Sequence, residues 1–76
     1  MSDAVEVDAR GHRCPVPTLR LRRALEAAPA GGVVRLLADD PMARVDVPHY
    51  ASQANAELVS VQELAGAGWA FRVRKG

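Results

Sequence analysis

The only cysteine of the chain, Cys14, lies in the stretch RGHRCPVPTLRLRRAL, between two prolines downstream and a glycine-containing turn upstream. A lone cysteine cannot form an internal disulfide, and dithiol redox chemistry would need a second one. The same stretch contains five arginines and no acidic residue: Arg10, Arg13, Arg20, Arg22 and Arg23. The sequence therefore places positive charge on both sides of one thiol. Such charge favours the thiolate, which is the nucleophilic form of cysteine.

The residues around the thiol predict the start of a helix, with Cys14 as N-cap, Pro15 at the first helical position and Pro17 at the third. Prolines cost little there, because the first four N–H groups of a helix have no intrahelical partner. They also stiffen the first turn and fix the direction of the thiol. The positive end of a helix and nearby arginines favour the thiolate, so we expect a pKa for Cys14 below its free value of about 8.5.

Other roles for Cys14 have weaker support. A free cysteine is often a small buried hydrophobe, but a core cysteine needs neither the prolines nor the arginines. A structural zinc takes four ligands, and only His12 and His49 could join the thiol, so no metal is expected. Cysteine–histidine hydrolysis lacks an orienting third group. We expect surface or capping roles for both histidines, with an electrostatic effect of His12 on Cys14 left open.

Hydrophobic periodicity predicts four strands and two helices in the order βαβαββ. The strands are AVEVDA, VVRLLA, ELVSVQEL and WAFRVRK, and in the first of them Val5 and Val7 should face the core. The first helix has an apolar stripe that ends before PAGG: Leu21, Ala24, Leu25 and Ala28. This order predicts an α/β two-layer sandwich, a single domain over residues 1–76, with two helices on one face of a four-stranded mixed sheet. The uncovered face should carry Glu6, Arg35, Arg72 and Arg74.

The start of the second helix is set by DDPMARVDVP. We expect a short turn over residues 41–45 and the main helix from about Asp46, with Pro48 in its first turn. Its buried stripe would be Val47, Tyr50, Ala51 and Ala54. The aspartates Asp39, Asp40 and Asp46 are expected to cap helical segments rather than bind a cation.

The outward side of the first helix predicts a small docking surface for a protein partner. Two apolar residues, Val16 and Leu19, stand there beside basic side chains. The basic members are Arg13, Arg20 and Arg23.

No apolar run approaches the roughly 20 residues of a membrane span, so no membrane association is expected. The N-terminus has no signal-peptide pattern, and one cysteine fits a reducing compartment, so we expect a cytoplasmic protein. The net charge of +1 says little about partners. A monomer is the default expectation.

The stretch DARGHRCPVP followed by a helix, and then DDPMARVDVPHYASQ, resembles the TusA/SirA-like sulfur-carrier family over nearly the whole chain. The specific feature is Cys-Pro-x-Pro at a strand-to-helix junction. The resemblance implies a βαβαββ fold similar to the C-terminal domain of a translation initiation factor. It also implies that Cys14 takes sulfane sulfur as a persulfide and hands it to another protein, without a cofactor.

The resemblance assigns positioning roles by motif. It implies that Pro15 and Pro17 set the thiol-bearing turn and that Asp8 and Gly11 shape the loop before it. The start of the second helix matches at Asp40, Pro41, Asp46 and Pro48. The implied partners are a sulfur donor, either a cysteine desulfurase or a rhodanese-type enzyme, and a sulfur acceptor, for tRNA thiolation or other sulfur metabolism. Direct nucleic-acid binding is not part of this expectation.

A small RNA- or ribosome-binding module with a structural Cys14 is the alternative from another class. The basic stretch favours it, but no aromatic residue is interleaved with the arginines for base stacking. RNA affinity would fall steeply with salt and be indifferent to Cys14→Ser, whereas sulfur transfer would be abolished by it.

Overall fold

The protein, described here by a computed structural model over residues 4–76, has the predicted element order. The elements are β1 (Ala4–Asp8), α1 (Val16–Ala27), β2 (Val33–Ala38), α2 (Ala43–Gln53), β3 (Glu57–Glu63) and β4 (Trp69–Arg74). The strand order in the sheet is β1-β2-β4-β3, with β1 parallel to β2 and both other pairings antiparallel. The mixed sheet and the βαβαββ order confirm the predicted fold class.

The core lies between the sheet and the two helices, and β2 supplies its centre. Pro17, Leu21 and Leu25 are the buried residues of α1, so two of the four predicted stripe residues are buried, and the other two, Ala24 and Ala28, are half-buried. The largest fully buried side chains are those of Phe71 on β4 and Leu21 on α1. Both helices contribute to this one cluster, so they cover the same face of the sheet.

The uncovered face carries the predicted charged residues, paired across strands. Arg35 on β2 forms an ion pair with Glu6 on β1, and Arg74 on β4 pairs with Glu57 on β3 at 3.1 Å. Arg72 is exposed on the same face and lies opposite Arg35 in the β2–β4 register. These charges keep the open face hydrated.

One expectation for β1 was wrong. Val7 packs against the core beside Ala24 of α1, but Val5 is 55% exposed. The reason is that Val5 lies beyond the end of α1, next to the loop from Pro29 to Gly32, so no helix covers it.

Helix α2 starts earlier than predicted, at Ala43 rather than about Asp46. The Asp40 carboxylate accepts a hydrogen bond from the Met42 N–H at 3.0 Å, and the Asp40 carbonyl accepts one from the Ala43 N–H at 2.9 Å. These two bonds close the turn over DDPM, and the helix begins directly after it. Pro48 then lies in the helix interior instead of the first turn.

The shift also changes which residues of α2 are buried. Val47 and Ala51 are buried and Tyr50 is half-buried, as predicted. Ala54 is exposed, because it is the C-cap and lies past the last helical turn. Ala43 is buried instead, although the sequence pattern had placed it in a turn.

Within residues 4–76 neither helix is long and apolar enough to cross a membrane.

Removing the largest buried side chain should show how much the core contributes to the free energy of unfolding. Phe71→Ala should lower the free energy of unfolding by about 3–5 kcal/mol, because a cavity is left in the centre of the cluster. Urea unfolding followed by circular dichroism measures this. The matched control is Val61→Ala on the paired position of β3, where the side chain is 45% exposed and the loss should stay below about 1 kcal/mol. Equal losses at the two positions would contradict this description of the core.

Candidate functional site

The thiol of Cys14 is exposed on the loop that joins β1 to α1. Its predicted position as N-cap was wrong by one residue. Pro15 is the N-cap and Val16 the first helical residue, which moves Pro17 from the third position to the second. A turn precedes the helix instead, in which the Val16 N–H donates to the Arg13 carbonyl at 2.9 Å, and the Cys14–Pro15 peptide bond is cis.

Two aspartates at the end of β2 hold the loop that carries the thiol. The Gly11 N–H donates to both carboxylate oxygens of Asp39, at 3.0 and 3.1 Å. The Cys14 N–H donates to Oδ2 of Asp40 at 2.7 Å, while Oδ1 of Asp40 accepts the Met42 N–H. Gly11 has a φ of 85°, which a residue with a side chain rarely adopts, so the turn depends on glycine.

A third aspartate, Asp46 in the first turn of α2, contacts the thiol itself. The Cys14 Sγ–H donates to Oδ2 of Asp46 over 2.6 Å. Its predicted role as a helix cap was wrong, since its side chain points to sulfur. The hydrogen bond to Asp46, followed by desolvation and the charges of Asp46 and Asp40, raises the pKa of Cys14 above its ordinary value. The expectation of a lowered pKa was therefore wrong: the carboxylates outweigh the arginines and the helix end.

Asp8 binds two of the arginines of the basic stretch, Arg10 and Arg20. Arg10 forms a two-pronged ion pair with the Asp8 carboxylate, at 2.9 and 2.8 Å, which holds the pKa of that carboxyl well below its usual range. Arg20 donates to the Asp8 carbonyl at 2.7 Å, and Arg22 pairs with Glu26 at 3.2 Å. Three of the five arginines are thus engaged within the chain rather than directed at the thiol.

Arg13 lies next to Asp40. The hydrogen bonds from the N–H groups of Cys14 and Met42 lower the pKa of Asp40, and the charge of Arg13 lowers it further. Asp40 is therefore charged near neutral pH.

The structure leaves the predicted docking residues on the surface. Val16 is 36% and Leu19 54% exposed, and Arg13, Arg20 and Arg23 are exposed as well. Sequence analysis missed two apolar residues at the start of α2, Met42 and Val45, which are also exposed. They were overlooked because the whole segment 41–45 had been assigned to a turn.

Beside the thiol is an open depression of about 590 Å³. Its floor and sides come from the loop before α1 and the turn before α2: Gly11, His12, Arg13, Cys14, Asp39, Asp40, Pro41 and Met42. His12 is exposed at this depression. Across residues 4–76 no cluster of three or more histidine, cysteine or acidic side chains could hold a metal ion. The arrangement presents a sulfur atom to whatever docks above it.

Comparison with known proteins finds sulfur carriers among the similar proteins. A family model described as sulfurtransferase TusA matches residues 5–75. A putative sulfur carrier protein of Archaeoglobus fulgidus is 39% identical over 59 residues, 78% of this chain and 77% of its own length. The sulfur carrier protein TusA of Pseudomonas fluorescens is 36% identical over 69 residues, 91% of this chain and 82% of its own.

A solved structure has the same fold. The crystal structure of a SirA-like protein from Desulfitobacterium hafniense superposes with a TM-score of 0.84 at 29% identity, covering 95% of this chain and 97% of that one. The match to the family model spans nearly all of the described chain, including the loop that carries Cys14. The chain belongs to the TusA family of sulfurtransferases.

Proposed function

We propose that this chain accepts sulfane sulfur on Cys14, carries it as a persulfide and passes it to the thiol of an acceptor protein. The observation that carries the proposal is the exposure of Cys14, whose thiol a second protein can reach. The backbone of Cys14 is held in place by the hydrogen bond from its N–H to Asp40. Sulfur relay is the activity of the family, and exchange at sulfur needs an accessible thiol.

The chemistry needs no second cysteine and no cofactor. Cys14 attacks the terminal sulfur of a donor persulfide, a new S–S bond forms at Sγ, and the S–S bond of the donor breaks. The donor leaves as a thiolate and takes up the proton that Cys14 loses. The same exchange then runs from Cys14 to the acceptor thiol. Because the sulfur moves with its oxidation state unchanged, no external oxidant or reductant is consumed.

The residues around Cys14 have positioning roles in this proposal. Pro15 and Pro17 stiffen the start of α1 next to the thiol. Gly11 allows the turn before it, and Asp8 holds Arg10 and Arg20 at the base of the loop.

The sulfur carriers of this family work between a donor and an acceptor protein. For this chain the donor would be a cysteine desulfurase or a rhodanese-type enzyme. Both partners would dock on the surface formed by Val16, Leu19, Arg13, Arg20 and Arg23. In this proposal the chain acts as a single cytoplasmic domain and a monomer, and the sulfur serves tRNA thiolation or another route of sulfur metabolism.

The RNA-binding alternative is not favoured. The family is one of sulfur carriers, and three arginines of the basic stretch have partners inside the chain. What remains is too little positive charge for a phosphate-binding surface.

Replacing the thiol should abolish sulfur uptake and leave the fold intact. Cys14→Ser should gain no sulfur from a persulfide donor, while the wild-type chain gains one that dithiothreitol removes. Intact-protein mass spectrometry without reductant measures both, and circular dichroism verifies the fold of the variant. Persulfidation of Cys14→Ser would contradict the assignment.

The thiol should be protonated in the sulfur-free protein near neutral pH, because Asp46 and Asp40 raise its pKa. Iodoacetamide reacts with thiolates, so its rate against pH should have a midpoint above that of a peptide spanning residues 10–18, which contains Arg10 and Arg13 but neither aspartate. A midpoint below that of the peptide would show that the arginines dominate after all.

The docking surface can be tested at Arg23, which is exposed and has no ion-pair partner among residues 4–76. Arg23→Glu should weaken binding of the donor protein about two- to fivefold, as expected for an exposed charge contact. Arg72→Glu, on the opposite face of the sheet, is the matched control and should leave affinity unchanged. Calorimetric titration measures both affinities. Equal losses of affinity at the two positions would contradict the assignment of the docking surface to α1. Arg20 is a poorer choice, because it also holds the Asp8 carbonyl.

A further inference from the structure

The Asp46 carboxylate is in direct contact with the sulfur that would carry the cargo. It is held on α2, where its own N–H donates to the Met42 carbonyl at 2.8 Å, and its Oδ2 accepts the Cys14 Sγ–H at 2.6 Å. The Asp46 side chain is half-buried and makes no other side-chain hydrogen bond within residues 4–76. A carboxylate so placed acts on the state of the thiol rather than on the fold.

We propose that Asp46 sets the balance between the sulfur-free and the sulfur-loaded states of Cys14, stabilising the thiol and disfavouring the persulfide, so that the carrier gives its sulfur up readily. The inference rests on the proposed function and adds a residue to it. It explains why a sulfur-accepting cysteine is placed against a carboxylate, which an activated nucleophile would avoid.

The first effect is the loss of a hydrogen bond on loading. In the sulfur-free protein Sγ carries a proton and donates it to Asp46. In the persulfide Sγ is bonded to carbon and to the second sulfur and has no proton to donate. The hydrogen bond to Asp46 is then lost.

The second effect is repulsion of charge. A persulfide is a stronger acid than the corresponding thiol, so the loaded form is an anion near neutral pH. The overall step is Cys14–SH + R–S–S⁻ → Cys14–S–S⁻ + R–SH, which balances atoms, charge and electrons. It moves one negative charge from the donor to a place beside Asp46, and like charges in contact disfavour that state.

The other charged groups at the site do not reverse this. Asp40, which binds the Cys14 N–H, adds a second negative charge, and Arg13 lies beside Asp40. Asp39 holds Gly11 in the same loop. His12 lines the same depression. Arg10 and Arg20 are bound to Asp8.

The test is a loading equilibrium and not a rate. Wild type and Asp46→Asn are equilibrated without oxygen near pH 7 with mixtures of 2-mercaptoethanol and its persulfide, a sulfur donor whose organic group carries no charge. Intact-protein mass spectrometry gives the loaded fraction. The loading constant of Asp46→Asn should be about two- to fivefold higher than that of the wild type, the range of an exposed charge contact. The Cys14 thiol of the variant should also titrate at lower pH.

The matched control is Glu26→Gln. It removes the same charge from the far end of α1, about 15 Å along the helix axis from Val16, the first helical residue. Its loading constant should equal that of the wild type.

The outcomes separate this inference from the proposed function. If wild type and Asp46→Asn both load on Cys14 with equal constants, Asp46 does not set the balance, although the chain is still a carrier. If neither protein loads, the proposed function itself fails.

A second measurement keeps the test independent of the folding of the variant. Salt screens the repulsion between the persulfide and Asp46, so the loading constant of the wild-type protein should rise with ionic strength. The constant for the peptide spanning residues 10–18 should fall, because it contains Arg10 and Arg13 and no acidic side chain. A wild-type constant that is flat or falls with salt would overturn the inference.

Discussion

The carboxylate of Asp40 is the constraint on which the rest of the site depends. One of its oxygens accepts the backbone N–H of Cys14 and the other accepts that of Met42, so a single side chain joins the loop before α1 to the start of α2. Because Asp40 lies two residues after the end of β2, a central strand of the sheet, the starts of both helices are held at the same point. The thiol is thereby fixed although its side chain is open to solvent.

The topology explains why these groups meet. β1 and β2 are parallel neighbours, so the segments that follow them leave the sheet at the same edge. Residues far apart in the chain, Cys14 and Asp46, come into contact there. The core beneath needs only to hold two helices against four short strands, which a chain of this length can do. The site is a surface feature, and that suits a carrier that must be approached by two different proteins.

Much of this could be predicted from the sequence, because periodicity and turn residues report local structure directly. The order of elements, the bounds of β2 and the outward side of β4 with Arg72 and Arg74 were all predicted. The start of α2 was not. A proline is usually placed in the first turn of a helix, and Pro48 was given more weight than Asp40, whose carboxylate accepts the Met42 N–H just before the helix begins.

The electrostatics of the thiol were predicted with the wrong sign for a related reason. The arginines are close to Cys14 in the sequence, whereas the aspartates that contact it come from the end of β2 and from α2. Proximity along the chain therefore gave too much weight to positive charge. The partners of Arg10 and Arg20, both on Asp8, could also be found only from the folded arrangement.

The central claim is that sulfur resides on Cys14 and leaves it for another thiol. The most direct test is a chase of isotopically labelled sulfane sulfur, loaded onto the wild-type protein and then mixed with an excess of unlabelled acceptor thiol, with the label located by tandem mass spectrometry. We expect the label on the peptide containing Cys14 and then its quantitative transfer to the acceptor. A label located on any other residue, or one that stays on Cys14 throughout the chase, would contradict it.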